Sequence, residues 1–358
     1  MTDKQHETNE SKDLLKQNKY FNYKMIRRGV LIFMAITLAS FTAIFLYNNT
    51  DESLSALQNI KPLYFILVVF LVFMDWWLGA YRNHIFVKKV IPDVSMWVTF
   101  NANLANIFMG AVTPSQTGGG PMHLYMLNRG GVKLADGIVL SIINFISTII
   151  FLVGSAGGAL YFLKDKEMND NLYLLIQSGF SIFSTLFVLI FAGLIAPGFI
   201  SKGLRKVGGL IGKMSGKYQQ KVEKGVNTAS DKLHEYNETI ILFVRKHPIL
   251  LPMSLVVTCL LYFNKYLIGY AIVLGLGYTP DFWIIIAVHA LFTFLLYFAP
   301  SPGGSGIAEV SITALMAPYI PAAGLVTFTV LQRFFSMMLP AAAGAVVVLK
   351  ELKRHSEE

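Results

Sequence analysis

Apolar runs long enough to cross a bilayer dominate the chain. They occupy residues 29–47, 63–81, 94–112, 137–163, 172–195, 249–276, 282–298, 307–316 and 322–349. Roughly 20 consecutive apolar residues make a helix that spans the hydrocarbon core. The pattern therefore predicts an all-α integral membrane protein. Two runs stop abruptly. The third ends at TPSQTGGGPMHLY, Thr113 to Tyr125, and the seventh at APSPGGSGIAEVS, Ala299 to Ser311, about 186 residues later. Prolines and glycine clusters break helices. Non-helical backbone at membrane depth is tolerated only where protein buries it or where it lines a wet cavity.

Charge turns the list of runs into a topology. Of the 30 basic residues, seven precede the first run, ten lie between residues 200 and 248, and three lie in the tail, at Lys350, Lys353 and Arg354. The positive-inside rule makes these regions cytoplasmic and both termini internal. Residues 48–61 carry one base and two acids, and residues 164–171 carry two bases and three acids, so both read as external. Counting crossings then leaves 94–131 beginning and ending inside, and 282–317 beginning and ending outside. Each is expected to be a re-entrant hairpin with a proline-glycine tip. The two halves share order as well. IPDVSMW, Ile91 to Trp97, matches TPDFWII, Thr279 to Ile285, at Pro-Asp. From that proline to Pro114 is 22 residues, and to Pro300 in the second copy 20. NFIS at Asn144 sits where RFFS at Arg333 does.

The expected architecture is a polytopic helical bundle of two inverted-topology repeats, each with one re-entrant hairpin. Its parts are a disordered tail (1–24), a first membrane half (25–200), a basic amphipathic cytoplasmic segment (201–247), a second half (248–350) and a short tail (351–358). Transporters place substrate between such repeats. Composition agrees with the class: 54% of residues are hydrophobic, 14% are charged and mean hydropathy is +0.54, against about 25% charged in a soluble domain. The single cysteine, Cys259, excludes a disulfide framework. The net charge of +9 follows from the basic cytoplasmic segments and calls for no nucleic acid.

Candidate chemistry gathers at the tips. Backbone N–H groups at glycine nests and helix N-termini bind anions. The candidate headgroup site comprises Ser115, Gln116, Thr117, Gly118, Gly119, Gly120, His123 and Arg129 from the first tip and its following helix. From the second come Ser301, Gly303, Gly304, Gly306, Glu309 and Arg333. The alternatives are glycines that serve only close helix packing, a structural Glu309–Arg333 pair, an Arg82 and an Arg129 that simply sit at the cytoplasmic interface, and a His123 and a His289 that are satisfied packing histidines. Asp75, Arg82, Lys265 and His289 also fall in apolar sequence, where a charge costs about 2.5–3.5 kcal/mol on insertion scales. No metal-ligand spacing, nucleotide loop or Ser-His-Asp set is present in the sequence, and neither metal nor cofactor is expected.

On its two motifs, TPSQTGGGPMHLYMLNRGG and APSPGGSGIAE, the chain resembles the lysylphosphatidylglycerol synthase transmembrane family, also called the flippase-like or UPF0104 family. The resemblance covers nearly all of residues 25–353. It implies inverted repeats, re-entrant helices and, by analogy with bifunctional members, translocation of aminoacylated phosphatidylglycerol linked to cationic peptide resistance. The implied family positions are Pro114, Gly118, Gly119, Gly120, Pro121, Pro302, Gly303, Gly304, Gly306 and Glu309. The soluble aminoacyltransferase domain of bifunctional members finds no counterpart in this sequence. The leading expectation is a cell-membrane protein that translocates or binds an anionic or aminoacylated phospholipid or a polyprenyl-linked lipid. The alternatives are a membrane component of a phosphatidylglycerol lysyltransferase and a non-transporting partner of a separate lipid-modifying enzyme.

Overall fold

The computed structural model describes residues 61–164, 170–195 and 245–357, with scattered residues of 27–42. The expected first span is covered only in part. The amino-terminal tail and the basic segment up to residue 244 lie outside the described residues. Two compact units are delimited, residues 1–176 with 254–358, and residues 177–253. The first holds both tips and every side chain discussed below. Of the second, the described parts are the later turns of one long helix and the approach to another.

The regular structure among the described residues is helical, joined by short turns and irregular links. The helices are α1 (Pro62–Val90), α2 (Met96–Val112), α3 (Gly119–Arg129), α4 (Leu134–Leu163), α5 (Asp170–Ile195), α6 (Leu250–Gly275), α7 (Phe282–Tyr297), α8 (Ile307–Met316), α9 (Ala322–Arg333) and α10 (Leu339–Glu357). Four stretches are long and apolar enough to cross a membrane by length and composition: α1, α4, α6 and the run from Gly324 to Glu351. The protein is therefore a multi-pass helical membrane protein.

Local chemistry fixes the boundaries. α1 opens on Pro62, whose missing N–H costs nothing in a first turn, and closes on Lys88 and Lys89, cations that suit a helix C-terminus. α2 is capped by Ser95, whose Oγ accepts the Trp97 N–H at 3.3 Å. α7 is capped by Asp281, whose Oδ1 accepts the Ile284 N–H at 3.0 Å. Ser95 follows the first Pro-Asp pair by two residues, and Asp281 is itself the aspartate of the second. α9 passes into α10 through a π turn, Phe334–Met338, in which the Leu339 N–H reaches back to the Phe334 carbonyl. Pro340 accounts for it, because a proline inside a helix removes the ordinary bond to the carbonyl four residues back.

α2 lies at the centre of the first unit, packed against α1, α3 and α10. Small residues set these approaches, as is usual between helices in membranes. A Cβ at Gly344 of α10 would strike the Leu104 carbonyl of α2, and one at Gly79 of α1 would strike Asn103. Polar clamps tie α1, α4 and α6 together. Asn144 Nδ2 donates to Asn83 Oδ1 at 2.7 Å, and Ser254 Oγ donates to Asn144 Oδ1 at 3.0 Å. Asn264 Nδ2 of α6 donates to the Leu71 carbonyl of α1 at 2.9 Å. Lys61, just ahead of α1, donates its N–H to the carbonyl of Gly275 at the end of α6.

Candidate functional site

The two tips share one backbone design. Each is a turn of 3-10 helix opened by proline, Pro114–Gln116 and Pro302–Gly304, in which two successive residues are left-handed. In the first these are Ser115 and Gln116, with φ of 49° and 57°; in the second they are Gly303 and Gly304, with φ of 58° and 67°. The sequence pairs Pro114 with Pro300 through the shared Pro-Ser. The backbone pairs Pro114 with Pro302, and with that register both tips lie at the same spacing from their Pro-Asp pairs. Proline's fixed φ and the left-handed pair decide the turn; the neighbouring serine does not.

The tips meet. The Ser115 N–H donates to the Pro300 carbonyl at 3.1 Å. Each tip also consumes its own donors. Gln116 N–H bonds to the Thr113 carbonyl, Thr117 N–H to the Pro114 carbonyl, and Gly118 N–H to Thr113 Oγ1 at 2.9 Å. In the second tip the Gly304 N–H bonds to Ser301, the Ser305 N–H to Pro302, and the Gly306 N–H to Glu309 Oε2 at 2.6 Å. Glu309 thus supplies half of a capping box for α8, a half that Gly306, having no side chain, does not return. Ser301 Oγ donates to the Ser305 carbonyl.

A buried ion pair locks the second tip from below. Arg333 Nε donates to Glu309 Oε1 at 2.9 Å and Nη2 donates to the Gly303 carbonyl at 3.1 Å. The side chains are 1% and 0% exposed. The glycines of the first tip serve packing. Gly118 lies against Thr113 and Gly119 against Asn106 of α2, whereas Gly120 faces open space. Thr117 is exposed, with its hydroxyl on the Pro114 carbonyl. Arg129 stands apart from the tips. Its Nε donates to Glu351 at 2.8 Å, in a surface cleft with Val98 and Arg354. His123 is buried on α3, and its Nε2 has no partner among the described residues.

Under the tips lies a polar cavity of about 240 Å³. Gln116, Gly303 and Arg333 line it, together with residues that the tip-centred reading of the sequence left outside the site: Asp75 of α1, Tyr262 and Lys265 of α6, His289 and Tyr297 of α7, and Gln332 of α9. Lys265 Nζ donates to Asp75 Oδ2 at 2.8 Å. Three lining side chains keep a buried polar atom without a protein partner: Asp75 Oδ1, Gln332 Oε1 and His289 Nε2. His289 Nδ1 lies 2.8 Å from the Ile285 carbonyl. That bond places the proton of a neutral ring on Nδ1, so Nε2, packed against Gly269, is an acceptor. All three atoms are acceptors that call for water or for the donors of a ligand.

On the other side of α6 and α7 a wider apolar groove of about 800 Å³ runs along α4. Phe151 and Gly158 of α4, Cys259 and Phe263 of α6, and Trp283 and Ala290 of α7 line it. A Cβ at Gly158 would meet nothing within 4 Å.

Long apolar helices around a cavity lined by polar and apolar side chains define a multi-pass membrane protein. The family model for the lysylphosphatidylglycerol synthase TM region matches residues 29–344, and the chain belongs to that family. It is similar to a UPF0104 membrane protein of Archaeoglobus fulgidus, 25% identical over 331 residues that make up 89% of this chain and 95% of the relative. A UPF0104 membrane protein of Methanothermobacter thermautotrophicus is 24% identical over 339 residues, 90% of this chain and 96% of the relative. One of Pyrococcus horikoshii is 22% identical over 344 residues, 92% and 98%.

Proposed function

We propose that this protein binds the headgroup of a phospholipid or polyprenyl-linked lipid, anionic or aminoacylated, and moves it between the leaflets of the cell membrane. The polar cavity under the tips carries this reading. It is a chamber of headgroup scale with unmet acceptors, lined by helices of spanning length. An apolar groove on the far side of two of its helices offers a track for acyl chains. The family description, which refers to lysylphosphatidylglycerol, supports a lipid as cargo.

The two hairpins are re-entrant in this proposal, and the two halves are inverted repeats. α3 and α8 have 11 and 10 residues, about 15–17 Å at 1.5 Å per residue, against a core of about 30 Å. Gly130 at the end of α3 packs on Val98 at the start of α2, so the first hairpin returns to the level from which it left. The pairing of Arg129 with Glu351 near the carboxyl terminus supports a shared cytoplasmic level for both. Cysteines placed at Lys89 and Asn128 are expected to react with impermeant reagents from the cytoplasmic side, and those at Asp281 and Tyr319 from the outside. Labelling of Lys89 and Asn128 from opposite faces overturns the first hairpin.

Transport is read directly in vesicles. The purified chain is reconstituted with fluorescent phosphatidylglycerol, and an impermeant reductant is added outside. Empty vesicles lose the outer-leaflet signal only. Vesicles holding the protein are expected to lose nearly all of it. Bleaching no deeper than in empty vesicles sinks translocation. A second role, as the membrane component of a lysylphosphatidylglycerol-synthesising assembly or the partner of a lipid-modifying enzyme, is favoured by the same family description. Such a component moves no lipid on its own, so the same vesicles separate the two.

A further inference from the structure

Three cations stand among the interior polar residues of the first unit. Two are neutralised: Lys265 by Asp75 at 2.8 Å and Arg333 by Glu309 at 2.9 Å. Arg82 is not. Its Nη1 donates to two neutral hydroxyls, Thr148 of α4 at 3.0 Å and Thr258 of α6 at 3.3 Å. Its Nε is buried without a partner in the protein. Among the described residues no carboxylate lies within ion-pair distance of it. A guanidinium carries five donors and stays charged. Part-buried at the end of an apolar run and without a counter-charge, it is costly. The hydroxyls of Thr148 and Thr258 orient the group and leave its charge unanswered.

Arg82 is not itself among the residues that line the cavity, but it lies near three that are. Its electrostatic neighbours are Tyr262, Tyr297 and Asp75, all three of which line the chamber, and it is in turn the charged neighbour of His123. Its depth is informative. The apolar part of α1 runs from residue 63 to residue 81, about 28 Å of helix, close to the thickness of the hydrocarbon core. Arg82 follows at once, at the level where hydrocarbon gives way to the phosphates of one leaflet. Behind the cavity surface lie two unmet acceptors, Asp75 Oδ1 and Gln332 Oε1, and one unused donor, Arg82 Nε, on a positively charged group. The complementary molecule has an anionic group at one end and hydroxyl donors at the other.

We propose that Arg82 binds the phosphate of a phosphate ester whose hydroxyl-bearing headgroup occupies the adjacent cavity. The claim deepens the lipid reading above and rests on it for the source of the ester. It moves the anion contact from the tips to α1, since Arg333 and the N–H groups of Ser115 to Gly118 and of Gly304 to Gly306 already have partners within the protein.

The full chain in detergent provides the test, read as thermal stability with three probes: dihexanoyl-phosphatidylglycerol, dihexanoylglycerol and inorganic phosphate. The phosphatidylglycerol is expected to raise Tm by about 2 °C at ten times its Kd, and the uncharged diacylglycerol to leave it unchanged. Arg82→Gln is expected to lose most of the shift while its own Tm is held or raised, because an unanswered charge has been removed. A shift by inorganic phosphate alone that Arg82→Gln abolishes supports the site and makes its source a free anion. An Arg82→Gln protein that keeps the full shift overturns the proposal, as does a wild type that responds equally to diacylglycerol. Should Arg82→Gln fail to fold, Arg82→Lys decides. It keeps the charge but loses the fork, so half-maximal stabilisation should need about tenfold more lipid; an unchanged requirement overturns the proposal. If the wild type shows no shift yet moves lipid in vesicles, Arg82 fails alone; if it does neither, the lipid reading fails with it.

Discussion

Arg333→Ala is expected to destabilise the protein by about 3–5 kcal/mol, the range for removing one partner of a buried ion pair. Both groups are shut off from solvent, so neither can exchange its partner for water. The loss reaches further than one contact. Arg333 also holds the Gly303 carbonyl, and Glu309 also holds the Gly306 N–H. Removing the guanidinium therefore strands a carboxylate and frees the left-handed turn at Gly303 and Gly304. The check is thermal unfolding of the single and double variants in detergent. Arg333→Met combined with Glu309→Gln is expected to recover much of the loss, since no unpaired charge remains. An Arg333→Ala protein that melts like the wild type removes the pair from its role in holding the tip.

Asp75→Asn is expected to act on transport more than on stability, whereas Lys265→Met, which strands the buried Asp75 carboxylate, is expected to lower stability as well. Lys265 is 36% exposed at its side chain, so water in the cavity can solvate it when its partner is gone. Exposed and partly exposed pairs contribute about 0–1 kcal/mol to folding. In the proposed function the same two groups face the headgroup, and each substitution is expected to slow lipid movement at least about tenfold, which is about 1.4 kcal/mol of barrier. Initial bleaching rates in vesicles and Tm from the same preparation are compared. A normal rate with a lowered Tm makes the pair a structural clamp between α1 and α6.

The helices were legible because a bilayer imposes a length, and the runs at 63–81, 137–163 and 249–276 meet it without help from tertiary structure. The interruptions were legible because proline and glycine announce a break in any context. What they could not announce was which residues take the strained backbone. In the second tip Gly303 and Gly304 do, as their chemistry suggests. In the first it is Ser115 and Gln116, each at a steric cost, while Gly118 and Gly119 let helices approach Thr113 and Asn106. Tertiary contacts hold that choice in place, among them Thr113 Oγ1 on Gly118 and Pro300 on Ser115. The cavity was hidden for a related reason. Asp75 and Lys265 stand out singly as charges in apolar sequence, but they lie 190 residues apart. Only the antiparallel packing of α1 on α6 makes them a pair.

The hydrogen bond from Ser115 to Pro300 is the rung between the tips, and the sequence keeps that ladder short. Pro114, Pro300 and Pro302 have no N–H to give, so the flanking positions on both tips lack the donors that would extend it into a strand pairing. A single neutral hydrogen bond contributes about 0.5–1.5 kcal/mol net, comparable to thermal energy within a factor of three. Two abutting loops with free donors on both sides would otherwise pair along their length. Proline spacing keeps the backbone seam to this bond among the described residues, and each turn closes on hydrogen bonds of its own that do not depend on the other tip.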